Sequence, residues 1–348
     1  MDLLCKNEIS GLAFLFFFFV NINCSTKLEP QYILVTGETM GTYYRITALT
    51  QLKLKDLKHD IDSLLINLNG NLSTYIPSSH ISRLNSSEAG IVEELPDQFW
   101  INLSSCIQWY KYSQGYFDPS VMPLVNYWGF GYEPKRAVLH VDSLKVDSIM
   151  TFVGLDQWDI DIDRKEITKI DYRQQLDFSA LAKGYGVDII AEYLEEDGIY
   201  NYLVDIGGEM RAFGKNSSGI AWVVGINEPL PGADLQDVSS LIQLDHIALA
   251  TSGNYRNYHV VNGSKYGHTI NPKTGYPFQD RLLSVSVATE KCMDADAIAT
   301  TCMAMGLDKA CTFIENLDGV DACFLAGKDD GTIETIYSNG FIRHKYQP

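Results

Sequence analysis

The sequence predicts an α+β fold with a largely antiparallel sheet, built as one large domain. Three observations predict it. Short alternating or β-branched runs recur along the whole chain. Helical periodicities lie between them without a strict βα repeat. After residue 30 no Pro/Ser/Gly-rich linker, charge block or internal repeat divides the 348 residues, and a hydrophobic content of 46% supplies a core of that size.

The elements follow in order. Residues 32–37 read as a strand, 38–42 as a loop and 43–48 as a second strand. Leu57, Ile61, Leu64, Leu65 and Leu68 define an amphipathic helix that stops near Gly70, and residues 99–113 form another that ends before Gly115. Residues 153–170 read as a β-hairpin: Trp158, Ile160 and Ile162 alternate with acids, and Ile167 and Ile170 follow the turn at 163–165. Asp159, Asp161 and Asp163 mimic the start of a calcium loop, but Arg164 stands at its glycine position and Ile170 at its glutamate position, which argues against calcium. Residues 179–197 form a helix with Val187, Ile190, Ala191 and Leu194 inward, ended by Gly198. Short strands are expected at 201–205, 221–226, 247–251, 283–288, 322–326 and 332–337, with a loop at 227–233 and an Asn-Gly hairpin turn at 262–263.

The first residues are of another kind. The apolar run over 11–20 has the length of a secretion signal, not of a spanning helix, and Cys24 follows it closely as at a bacterial lipoprotein cleavage site. An uncleaved anchor is the alternative. The net charge of −17 changes by one unit when residues 1–23 are removed, so the acidity belongs to the remainder and argues against affinity for nucleic acid. Five cysteines lie beyond Cys24, an odd number without a Cys-x-x-Cys pair, so neither zinc nor a disulfide framework is inferred.

Chemistry concentrates in a few segments. Asp294 and Asp296 open a helix on which Asp296 and Thr300, four apart, share one face, while Ile298, Cys302 and Met305 fall on the opposite face. That oxygen-bearing stripe suits Mg²⁺. The alternative leaves Asp294 as the N-cap, Asp296 as a first-turn acid and Thr300 bonded back to the preceding turn. Residues 177–186 place Lys183, Gly184 and Gly186 at a helix start, where free N–H groups and a lysine would receive a diphosphate, or where glycines simply permit close packing. The missing third glycine, Ile189 in its place, argues against a dinucleotide fingerprint. Asp205, Gly207, Gly208 and Glu209 end a strand where the backbone either lies against a flat ligand or turns sharply. Tyr75, Phe117, Trp128 and Phe130 stand among turn residues and either stack a planar ring or fill the core. His268, between Gly267 and an Asn-Pro-Lys-Thr-Gly turn, is the candidate proton acceptor.

Together these segments resemble the FAD:protein FMN transferases, the ApbE family. The matching stretches are Met40-Gly-Thr-Tyr-Tyr, Ser73-Thr-Tyr with Ser82-Arg-Leu-Asn, residues 117–131, 177–188, 205–208, 250–256, 268–277 and 294–301, in order from about residue 35. The resemblance implies an ApbE-like, T-fold-related architecture. It implies a signal peptide over 1–23 with lipidated Cys24, a tether over 24–34 and an FMN transferase domain over 35–345, in a membrane-anchored, periplasm-facing bacterial lipoprotein. The implied reaction is Mg²⁺-dependent transfer of FMN from FAD to a Thr or Ser hydroxyl of an acceptor flavoprotein with a Gly-Ala-Thr/Ser-type motif, forming a phosphodiester bond and releasing AMP. Carried over residue by residue, the metal ligands fall on Asp296, Thr300 and the Ala180 carbonyl. The flavin nucleotide contacts fall on Met40, Tyr75, Tyr116, Phe117, Asp118, Asp177, Lys183, His268 and Ile270, and His268 is the catalytic candidate. Two rivals are an FAD pyrophosphatase giving FMN and AMP, and a non-catalytic flavin-binding lipoprotein.

Overall fold

A computed structural model describes residues 31–52, 56–90, 94–133, 141–229, 238–254, 258–261 and 264–347. The signal segment, Cys24, Arg256 and the Asn262-Gly263 turn lie outside these residues, as does most of the loop expected at 227–233.

In chain order the strands are β1 (Gln31–Thr39), β2 (Thr42–Thr50), β3 (Asp159–Asp161), β4 (Glu166–Thr168), β5 (Tyr202–Ile206), β6 (Glu209–Phe213) and β7 (Trp222–Asn227). They continue as β8 (Val238–Leu244), β9 (Ile247–Gly253), β10 (Tyr258–Val261), β11 (Ser264–Gly267), β12 (Leu282–Thr289), β13 (Asp321–Gly327) and β14 (Ile333–Tyr337). The helices are α1 (Leu57–Leu72), α2 (His80–Ser86), α3 (Asp97–Tyr112), α4 (Met122–Tyr127), α5 (Ser143–Met150), α6 (Ala182–Glu196), α7 (Cys292–Met305) and α8 (Leu307–Glu315). Eight strands form one antiparallel sheet in the order β1-β2-β5-β6-β9-β12-β13-β14. The expected class and sheet type are those observed.

Alternation places Tyr44, Ile46 and Ala48 of β2 on the face where Ile61 and Leu65 of α1 meet Val187, Ile190, Ala191 and Leu194 of α6. Burial of these side chains fixes both helices on the sheet. On the opposite face Leu249, Ala288 and Leu325 are covered by Trp222, Val224, Ile242 and Leu244 of the β7–β8 hairpin and by Phe341. A smaller cluster around Trp128, Leu124, Phe152 and Ile270 supports one wall of the cavity described below.

Several boundaries differ from expectation. The loop at 38–42 contracts to Met40-Gly41, since both adopt the positive φ that a two-residue hairpin turn requires. Residues 31–34, included in the tether expected over 24–34, are strand. Helix α1 passes Gly70 to Leu72, and α6 starts at Ala182 because Asp177 holds the preceding residues in a turn. The 153–170 hairpin shrinks to β3 and β4, with a 3₁₀ turn over Leu155–Gln157, and Ile170 is exposed. Helix α7 begins at Cys292, so Asp294 lies inside its first turn and is not the N-cap. Nor does α7 carry one apolar stripe: it is buried on nearly every side, threaded between α6, β9 and β12. Elements α2, α4, α5, α8, β6 and β8 have no counterpart among the expected elements. Among the described residues the five cysteines are free, and no helix is long and apolar enough to cross a membrane.

Candidate active site

Three elements bring charged side chains to one cavity of about 410 Å³, a size typical of small-molecule sites. The first is α6. Asp177 accepts hydrogen bonds from Ser179 N–H at 3.0 Å and Ser179 Oγ at 2.7 Å, a local Asx-turn that sets the start of the helix. Lys183 then stands in the first turn, its side chain reaching into the cavity.

The second element is the β5–β6 hairpin. Gly207 and Gly208 both have positive φ and form its two-residue turn, with Asp205 Oδ1 accepting from Gly208 N–H at 2.9 Å. The sharp turn, one of the two readings of this motif, is present. It delivers Glu209, 4% exposed, into the cavity wall.

The third is α7. Its Asp296 is 2% exposed and accepts from Lys183 Nζ at 3.3 Å and from the Gly184 N–H at 3.2 Å. The free N–H at the α6 start is therefore taken by a protein carboxylate, and Lys183 Nζ also lies 3.3 Å from Glu209 Oε1. One turn on, Thr300 Oγ1 lies 3.2 Å from Ser252 Oγ of β9. The hydroxyl that bonds back along the helix is that of Thr301, to the Ala297 carbonyl at 2.7 Å, and not that of Thr300. Asp294 points elsewhere, accepting from Trp109 Nε1 at 2.9 Å.

Gly184 permits the close approach of α6 to α7: a Cβ there would run into the Cys292 carbonyl. Close packing is thus the role of this glycine, alongside the charged cluster its neighbours build.

Burial shifts the acids. Asp296 and Glu209 are raised by desolvation, opposed by the Lys183 ammonium, and Asp177 is raised by burial against its Ser179 bonds. Burial works against the charge of Lys183, but Asp296 and Glu209 hold its ammonium above the usual range. Asp118 is pushed up to about 6 by burial, even with bonds from Ser120 N–H at 2.8 Å and Ser120 Oγ at 2.6 Å.

The other wall comes from loops. Tyr75, Tyr116, Phe117, Asp118, Ala180, His268 and Ile270 all line the same cavity, together with Phe130, whose ring meets His268 edge-on at 6.3 Å. Asn271 closes the turn after His268, its carbonyl accepting from Gly275 N–H at 2.9 Å, and Asn254 Oδ1 accepts from Thr269 Oγ1 at 2.9 Å. Met40 does not line the cavity; it packs beside Gly186 at the β1–β2 turn. Trp128 is buried in the core, donating to the Gly275 carbonyl at 2.8 Å, so of the two ring-stacking candidates in its segment only Phe130 faces the cavity.

Glu209 and Ser252 belong to this constellation and had no assigned role in the sequence reading. Glu209 had a signal, an acid directly after a Gly-Gly turn, whereas Ser252 stood only within the matching stretch 250–256. Asp296, Thr300, Ser252, Glu209 and Ala180 line the cavity together and carry hard oxygen donors, and Glu209 Oε2 is buried without a hydrogen-bond partner. Such a set fits a magnesium-type cation. Among the described residues no group of three or more His, Cys, Asp or Glu side chains gathers as a metal cage.

The model of the ApbE family matches residues 40–324. A FAD:protein FMN transferase of Vibrio cholerae is 34% identical over 91% of this chain and 93% of its own length. One of Haemophilus influenzae is 34% identical over 90% and 91%. The solved flavin transferase ApbE from Vibrio cholerae superposes with a TM-score of 0.82 at 33% identity, covering 90% of this chain and 99% of that one. The flavinyl transferase ApbE of Pseudomonas stutzeri, in apo form, gives 0.80 at 30% identity over 91% and 97%.

Proposed function

The chain belongs to the ApbE family, and we propose that it is a FAD:protein FMN transferase that moves FMN from FAD to a Thr or Ser hydroxyl of an acceptor protein, releasing AMP. The observation that carries the reading is the meeting of Lys183, Asp296 and Thr300 with His268 around one cavity, beside aromatic residues able to stack a flavin or adenine ring.

In this reading Asp296, Thr300 and the Ala180 carbonyl hold Mg²⁺, which would neutralise the diphosphate and the phosphate released with AMP. Lys183 binds phosphate oxygens with its ammonium. The aromatic side chains of Phe117, Tyr116 and Tyr75 orient the rings, and Asp118 offers its buried carboxyl to a polar edge. His268 orients the incoming hydroxyl and takes its proton. The hydroxyl oxygen forms a new bond to the FMN phosphorus, and the bond from that phosphorus to the bridging oxygen breaks. AMP leaves with the bridging oxygen and its electron pair, and the product is a phosphodiester. A threonine hydroxyl is a weak nucleophile, so holding it in line with the phosphorus contributes much of the rate.

The acceptor is a flavoprotein subunit with a Gly-Ala-Thr/Ser-type motif. The apolar run over residues 11–20 and Cys24 support an exported, lipid-anchored protein that faces the periplasm, with residues 24–30 as the tether. A water in place of the hydroxyl would make the same site an FAD pyrophosphatase. The deciding experiment incubates the protein, FAD and Mg²⁺ with an acceptor peptide and with its Thr→Ala version, then weighs both. Gain of one FMN by the threonine peptide alone supports transfer; free FMN and AMP without peptide labelling would replace transfer by hydrolysis, and no turnover would leave a flavin-binding protein.

A further inference from the structure

The β5–β6 turn delivers an acid that the proposed reaction leaves without a role. Glu209 lines the cavity and is 4% exposed. Its Oε1 lies 3.3 Å from Lys183 Nζ, while its Oε2 is buried with no hydrogen-bond partner. Asp296 Oδ2 lies 3.3 Å from the same ammonium. Leaving a buried acceptor unsatisfied costs stability, and more when it is charged. Among the described residues no donor satisfies that oxygen, and a ligand that reached it would.

Charge decides what kind of ligand. Two acids line a recess where a diphosphate, itself anionic, is to bind. A ligand hydroxyl would satisfy the lone pair and leave the repulsion in place. A divalent cation removes both, and the neighbouring Thr300, Ser252 and Ala180 oxygens extend the same hard donor set.

We infer that Glu209 is a second carboxylate partner of the divalent-cation site, sharing the Lys183 ammonium with Asp296. The inference rests on the magnesium reading above and adds a residue to it. Lys183 then has two tasks: it keeps the two acids apart while the cation is absent, and it is available to phosphate oxygens when the cation draws them in.

The test uses the full-length protein as wild type, E209Q and E209D. FAD binding is read by flavin fluorescence quenching, and the FAD-free protein by its melting temperature, each over a Mg²⁺ titration. E209Q should raise the Mg²⁺ concentration at half effect on the order of 10- to 100-fold, and E209D, which keeps the charge on a shorter arm, should raise it less. A half-effect concentration equal to wild type overturns the inference. So does a loss of FAD affinity that is the same at every Mg²⁺ concentration, because Glu209 would then act only through Lys183. Should E209Q fail to fold by circular dichroism, E209D carries the same comparison, and a wild-type Mg²⁺ response there is equally fatal. A wild type without any Mg²⁺ response overturns the magnesium reading itself, and this inference falls with it.

Discussion

Asp188 Oδ1 lies 3.0 Å from Arg211 Nη1 in the interior, and the same carboxylate accepts the Cys292 and Met293 N–H groups at 3.1 and 2.9 Å. Those are the first two free donors of α7. Arg211 reaches Glu195 with its other arm at 3.2 Å. The three elements joined here are the ones that carry the site: α6 bears Lys183, β6 bears Glu209 and α7 bears Asp296. Asp188 touches no part of the cavity, yet it sets the rotation and depth of the helix that supplies the acid.

Asp188→Ala should therefore lower stability by about 3 kcal/mol, since it strips a helix start of its acceptor and Arg211 of one partner. Urea unfolding measures the loss. Transfer should fall as well, and a variant that loses neither would leave Asp188 as a neutral filler.

Gly184→Ala and Gly186→Ala should differ. A Cβ on Gly184 meets the backbone of Cys292, which cannot move aside, whereas one on Gly186 meets the side-chain ends of Leu68, Ile206 and Met40 at 3.2–3.3 Å. The first change is expected to cost about 2 kcal/mol or more and the second less. Equal denaturation midpoints for the two would contradict the close approach of α6 and α7.

Asp296→Ala should abolish Mg²⁺-dependent turnover, by about 100-fold or more, and leave the circular dichroism spectrum unchanged. Unchanged turnover and Mg²⁺ dependence would remove the metal assignment.

His268→Ala should slow transfer by about 10²- to 10⁴-fold and change FAD affinity far less. Single-turnover kinetics and flavin fluorescence separate the two effects. Equal losses in both would make His268 a binding residue.

Asp118 predicts a pH dependence of stability. Its carboxyl titrates at about 6 when folded against an ordinary 3.8, so between these values the folded state keeps a proton that the unfolded state has lost. The contribution is complete below about 4 and disappears as pH rises through about 6, at most about 3 kcal/mol for a shift of this size. Urea midpoints from pH 4 to 7 should fall more for the wild type than for Asp118→Asn. Parallel curves would show that Asp118 is ionised throughout.

Much of the site was legible in the sequence because its parts are local. The four-residue spacing of Asp296 and Thr300 and the placement of Lys183 near a helix start each depend on neighbours within one turn, whereas the turn of Asp177 with Ser179 that delays α6 to Ala182 was not read. The burial of α7 on nearly every side was not legible, since a helix with polar residues at 294, 296, 300 and 301 reads as half-exposed until their partners are known. Trp109 and Thr301 show why: one accounts for Asp294 from 185 residues away, and the other satisfies itself on Ala297. Trp128 was open between two readings, because turn residues around an aromatic do not reveal whether its ring faces a cavity or the core, and it fills the core.

Periodicity and turn chemistry act over about five residues, and within that range the order of amino acids determined the antiparallel α+β character, the principal helices and strands and the acid-hydroxyl pair of α7. Which acids share Lys183, where Asp188 finds its donors and which wall His268 joins depend on contacts between segments tens to hundreds of residues apart. Only the packing of α6 and α7 against the sheet decided these, because burial in a common core, not adjacency along the chain, sets the distances at which charges meet.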